Sequence, residues 1–156
     1  MEEKFTMKLA YFDMVPVIIF GVAFGILGMK LESLLFVFGS VICTLAGLGK
    51  VFWKIFIASK EKEISFLYYQ FRFLMPIGFF TLIIAVLFTK ESLRIQLFQE
   101  AFKFPSVFCF AMGIMGMIVM FICAFKIDKH DVKGNWLEQS INTIAQAFFM
   151  MGILLL

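Results

Sequence analysis

Charge is scarce in this sequence: 16% of its 156 residues are Asp, Glu, Lys or Arg, against about 25% in a soluble globular domain. The few basic residues sit at the ends of apolar runs, so no basic face for nucleic acid is expected. Histidine occurs once, as His130 between Asp128 and Asp131. That excludes bis-histidine haem ligation within the chain and reads as a solvated loop. Cys43, Cys109 and Cys123 lie far apart inside apolar runs, with no CxxC. Thiolate metal sites and dithiol redox chemistry are therefore excluded, and small reduced packing residues are expected. There is no HExxH, and no glycine-rich phosphate loop beside a lysine and a hydroxyl residue. No metal and no cofactor is expected. Strict alternation of apolar and polar residues is missing too, which excludes a membrane β-barrel.

What is present is apolar bulk: 62% hydrophobic residues, 23 of them Phe, and a mean hydropathy of +0.98. It is gathered into five continuous blocks separated by charged punctuation. The expected fold is all-α, a polytopic integral membrane protein forming one membrane domain over residues 1–156. Five transmembrane helices are expected near 9–29, 33–58, 67–89, 105–126 and 136–156, with a short interfacial helix between the third and fourth. In that segment Leu93, Leu97, Ala101 and Phe104 would share one face.

Small residues suggest how the helices meet. Gly21 and Gly25 form a GxxxG in the first helix, and Gly39, Cys43 and Gly47 repeat a small-residue spacing in the second. The tight turn at 29–33 makes these helices antiparallel neighbours, so they are expected to pack through those faces. The second block continues past Gly49 through Lys50, Trp53 and Lys54, so it either tilts or projects beyond the membrane. Pro16 and Pro76 invite kinks, and Pro105 suits the first position of the fourth helix. The loop KIDKHDVKGN is expected to end at Gly134–Asn135.

With five spans, ten basic residues fall on one side (Lys4, Lys8, Lys50, Lys54, Lys60, Lys62, Arg72, Lys126, Lys129, Lys133) and four on the other (Lys30, Lys90, Arg94, Lys103). The excess of Lys and Arg marks the cytoplasmic side. The N-terminus is therefore expected inside and the C-terminus outside, with a bacterial cytoplasmic membrane the expected location.

That topology brings polar groups from four helices to one leaflet. Asp13 comes from the first helix and Lys50 and Lys54 from the second. Tyr69 and Arg72 come from the third, and Glu138, Gln139, Asn142 and Gln146 from the last. Glu138, Asn142 and Gln146, spaced i, i+4, i+8, make one stripe on a helix. Such groups in a bilayer usually face a bundle interior or a cavity. Plainer readings stand beside this one: Lys50 and Lys54 snorkelling to headgroups, Tyr69 and Arg72 as interface anchors, Asp13 and Glu138 as first-turn acids, Asn142 and Gln146 as interhelical glue.

The fragment Gln139–Gln146, Q-S-I-N-T-I-A-Q, resembles the E-x-x-N-T-x-x-E pattern of small prokaryotic lipid kinases over eight residues. The resemblance implies acids that hold metal and nucleotide. Here both outer positions are amides, which leaves that role without its carboxylates.

Three functions fit. The first is binding or transport of a small polar or anionic ligand, or a lipid headgroup, at the cluster. Arg72 and Lys50 would then neutralise the ligand, and Glu138 would serve as counter-ion or proton acceptor. The second is a non-catalytic subunit of a larger membrane assembly. The third is a membrane-embedded enzyme acting on a lipid headgroup or isoprenoid. Membrane lipid and either a second copy or a partner membrane subunit are the expected partners.

Overall fold

The computed structural model describes residues 6–60, 64–126 and 131–156. The polar N-terminal residues 1–5, the charged turn at 61–63 and the loop residues 127–130 with His130 lie outside the described residues. The described residues form six helices, in order α1 Met7–Lys30, α2 Leu34–Lys60, α3 Ser65–Phe88, α4 Glu91–Ala101, α5 Ser106–Lys126 and α6 Val132–Leu154. No strand occurs among the described residues.

Side-chain caps set three of the helix starts. Thr6 Oγ1 accepts from the Leu9 amide at 3.3 Å, and Ser33 Oγ accepts from the Phe36 amide at 3.2 Å. Asp131 accepts from the amides of Lys133 and Gly134, both at 3.1 Å. This last cap corrects the expected boundary, because it pulls the start of α6 back to Val132 and turns Gly134–Asn135 into its first turn. Asp at an N-cap outweighs the turn preference of Gly–Asn once the amides it must satisfy are within reach. Pro16 and Pro76 lie inside α1 and α3 without interrupting either helix. The long second block is one helix of 27 residues.

The long helices pack as a row in the order α3, α2, α1, α6, α5, with α4 against α5. Glycines mark the close approaches. A Cβ on Gly47 would lie 2.9 Å from Val17, and one on Gly21 2.8 Å from Thr44, which joins α1 to α2. Gly39 and Cys43 do not serve that contact as expected. They meet α3 instead, where a Cβ on Gly39 would lie 3.2 Å from the Gly78 carbonyl and one on Gly78 3.0 Å from the Cys43 amide. Gly25 has open space beside it, so the GxxxG of α1 is only half used. A core of Phe20, Leu31, Phe36, Cys43, Leu82 and Ala85 fills α1–α2–α3 away from the α1 N-terminal end.

Four helices, α1, α2, α3 and α5, are long and apolar enough to cross a membrane. In α6 the pattern is inverted: Asn135, Gln139 and Gln146 are buried, while Leu137, Ile144, Met151 and Leu154 are exposed. Its polar residues lower the average hydropathy of the helix, yet they face the bundle.

Candidate functional site

The row closes on itself, for all five long helices line one cavity of about 270 Å³. α1 supplies Asp13, Pro16, Val17, Phe20 and Phe24, and α2 supplies Cys43, Gly47, Lys50 and Val51. α3 adds Phe71, Met75 and Phe79, α5 adds Met117 and Met120, and α6 adds Glu138, Gln139, Asn142, Gln146 and Phe149. Along α1 and along α6 the lining runs over twelve residues, Asp13 to Phe24 and Glu138 to Phe149, or ~16 Å from first to last at 1.5 Å per residue. The two helices agree on a narrow slot parallel to the bundle axis. The charges stand at its outer end, the amides of α6 run inward from them as far as Gln146, and the rest of the lining is mostly Phe, Met and Cys.

The outer rim is fastened by a buried ion pair. Lys54 Nζ lies 2.7 Å from Asp13 Oδ2 and 3.5 Å from Asn135 Oδ1, which links α1, α2 and α6. Lys54 therefore points inward and does not snorkel, although its ammonium joins the rim and not the cavity lining. Asn135, taken from sequence as the end of a loop, is a rim residue. The cue to it was Asp131, whose capping places Asn135 on the inner face, where its Nδ2 also donates to the Asp131 carbonyl at 2.8 Å.

One turn deeper, Lys50 and Glu138 line the cavity from α2 and α6. Lys50 Nζ stands 5.3 Å from the centre of the Phe71 ring, a cation–π contact. Neither Lys50 nor Glu138 forms an ion pair among the described residues. Next come the amides. Gln139 and Gln146 are 3% and 8% exposed, yet Gln139 Oε1, Asn142 Oδ1 and Gln146 Oε1 have no hydrogen-bond partner among the described residues. Gln146 Nε2 reaches only Met117 Sδ, at 3.7 Å.

Hydroxyls in the same helix behave differently. Ser140 and Thr143 donate to the carbonyls of Trp136 and Gln139, each at 2.8 Å, four residues back. They are satisfied by their own helix, whereas the amide oxygens are not.

Of the residues expected to cluster, Asp13, Lys50, Lys54, Glu138, Gln139, Asn142 and Gln146 converge on the rim or the cavity. Tyr69 and Arg72 do not. Both are exposed, with the Arg72 guanidinium 5.7 Å from the centre of the Tyr69 ring. α3 presents Phe71, Met75 and Phe79 to the cavity, and Arg72, one residue on from Phe71, is turned about 100° away. The rotation of α3 is held by Gln70, whose Nε2 donates to the Ala46 carbonyl of α2 at 3.2 Å, and by the Gly78 contact. No cluster of three or more His, Cys, Asp or Glu able to hold a metal occurs among the described residues. Comparison with family models, curated proteins and solved structures finds no match for the chain.

Proposed function

We propose that the chain is a five-span membrane protein whose cavity binds or transports a small polar ligand or a lipid headgroup from the cytoplasmic leaflet. The N-terminus is then inside and the C-terminus outside, in a bacterial cytoplasmic membrane. α6 is the fifth span: its exposed face is apolar and its polar face is turned inward, as a membrane-embedded helix lining a cavity requires. α4, with no buried residue, lies along the opposite interface.

The observation that carries the ligand reading is the set of three partnerless amide oxygens that run inward along α6 from Glu138. Leaving three buried amides unsatisfied costs on the order of 3–9 kcal/mol, at about 1–3 each. A ligand or ordered water recovers that cost, while pure structural glue would have paired the amides across helices. The cavity, at about 270 Å³, sits just below the usual ~300–1,000 Å³ of small-molecule sites. It suits a headgroup and the first carbons behind it. Lys50, not Arg72, is the cation that meets the ligand. The assembly reading relied on small-residue faces docking to partners; here those faces are occupied within the chain, apart from Gly25.

The test is native mass spectrometry of the full chain released from detergent. A retained ligand that is lost on Lys50→Met or Asn142→Leu, with assembly unchanged, supports the reading. No adduct in the native protein, together with dissociation or collapse of Asn142→Leu, overturns it in favour of structural glue.

A further inference from the structure

From the pairing of charges in the cavity we infer that its ligand is a zwitterionic amphiphile: an ammonium and a phosphate or carboxylate oxyanion within a few bonds of each other, joined to a hydrocarbon tail. This rests on the reading of the cavity as a ligand site and names the class of that ligand. Lys50 holds the oxyanion, Glu138 holds the ammonium, and the amides of Gln139 and Asn142, within about one turn of Glu138, complete both shells.

Depth supports the assignment. Lys54 and Asn135 meet at the rim. Lys50 is four residues inward of Lys54 on α2, and Glu138 is three residues inward of Asn135 on α6. At 1.5 Å per residue the two charges stand within ~2 Å of the same depth. They stand on α2 and α6, the helices on either side of α1, and both line the slot. A purely anionic ligand would satisfy Lys50 but would press a second negative charge against Glu138. A purely cationic one would do the reverse to Lys50. Only a ligand carrying both charges leaves neither side chain uncompensated in a low-dielectric site.

An amide can turn its oxygen or its nitrogen to a ligand, so Gln139 and Asn142 serve ammonium and oxyanion alike. Inward of Lys50 and Glu138 the walls other than α6 are Phe20, Phe24, Met75, Phe79 and Met117, with Phe149 beyond Gln146 on α6, side chains with little to offer a polar molecule. A tail lies there. α3 and α5 close the ring without forming one of its closely packed helix pairs. The Met75, Phe79, Met117 and Met120 side chains flank that seam, and unbranched Met can yield to a passing chain. The tail thus has a lateral route from the bilayer.

The test titrates the full chain in maltoside micelles, read by tryptophan fluorescence. Trp136 stacks on Phe12 at 5.1 Å and Trp53 sits one residue from Lys54, so both tryptophans report on the rim. Three probes are compared: dihexanoyl phosphatidylethanolamine, dihexanoyl phosphatidylglycerol and free phosphoethanolamine. The ethanolamine lipid should bind about tenfold or more tighter than the glycerol lipid, because the latter leaves Glu138 unpaired. It should also outbind free phosphoethanolamine, by about fourfold for each methylene taken into the apolar end. Glu138→Gln, isosteric and checked for unchanged thermal stability, should erase the preference between the two lipids. Lys50→Met should weaken both.

Equal affinity of the native protein for the two lipids overturns the zwitterion assignment and leaves a ligand cavity standing. Equal affinity for free and lipid-linked phosphoethanolamine keeps the zwitterion but overturns the tail. Failure of all three probes, with no adduct in native mass spectrometry, overturns the cavity reading itself.

Discussion

Lys54→Met is the substitution that most directly probes how the rim is held. Lys54 Nζ and Asp13 Oδ2 are 2.7 Å apart, with side chains 3% and 7% exposed. At an effective dielectric of about 20, charges this close attract by roughly 6 kcal/mol, but withdrawing each from water costs several kcal/mol. The intact pair therefore contributes little net stability. Removing one partner is another matter, since the survivor keeps its desolvation cost without the attraction, a loss of about 3–5 kcal/mol. For a chain of this size that is a fall in Tm of roughly 6–20 °C, at about 2–4 °C per kcal/mol.

The two partners are not equivalent. Asp13→Asn leaves the Lys54 ammonium 3.5 Å from Asn135 Oδ1, whereas Lys54→Met strips Asp13 of its ion-pair partner. Lys54→Met should be the more damaging of the two. The double variant Asp13→Leu with Lys54→Met, which removes both charges, should recover most of the loss. Cys43 and Cys109 are buried, so a thiol-reactive fluorophore reports unfolding of the detergent-solubilised protein as they become accessible. A Lys54→Met protein that melts within a degree or so of the native one would refute the pair. A double variant no more stable than Lys54→Met alone would refute it equally.

Two further outcomes follow from packing. A methyl group on Gly78 meets Cys43 of α2, so Gly78→Ala should cost about 1–3 kcal/mol through overpacking; Gly25→Ala, with open space beside it, should be neutral or stabilising by up to about 1 kcal/mol, both read in the same melting assay. Arg72→Leu should leave the affinity for any cavity ligand within about twofold of native, because the guanidinium lies over Tyr69 outside the lining; surface changes of this kind usually stay within about 0.5 kcal/mol. A tenfold loss in the fluorescence titration would return Arg72 to the site.

How much of this was legible in sequence depends on which coordinate is asked for. Position along a helix was readable: apolar blocks and charged punctuation place α1, α2, α3 and α5 closely, and the turn at 29–33 makes α1 and α2 neighbours. Rotation about a helix axis was not. In a soluble protein the polar face of a helix reveals its outside, but α3 is apolar nearly all round. Nothing in FLYYQFRFLMP announces that Phe71 and Met75 face inward while Tyr69 and Arg72 face out. The small residues of α2 carried the same ambiguity, since a facing glycine existed on either neighbour. Gly78 of α3 takes Gly39 and Cys43, and α1 takes Gly47. Only α6, where polar residues interrupt the apolar pattern, showed its inner face directly. Even there the buried line runs through Asn135, Gln139 and Gln146, with Glu138 and Asn142 half-buried on the same face.

The polar groups of the bundle divide into a paired set and an unpaired set, and the division is the reason to assign the unpaired one to a ligand. The first set joins helices to one another: Lys54 to Asp13 and Asn135 at the rim, and Gln70 to the Ala46 carbonyl further in. These contacts tie α2 to α1, α6 and α3. The second set, one turn or more inward of the rim, is Lys50, Glu138 and the three amides. None of its five members bonds to another among the described residues. They stand on α2 and α6, within reach of one shared volume. Structural glue in lipid would be expected to pair, because the alternative to pairing is an unsatisfied group in hydrocarbon. Groups kept unpaired beside a slot with an apolar floor are better placed to satisfy a molecule that brings its own charges and leaves its tail among the phenylalanines.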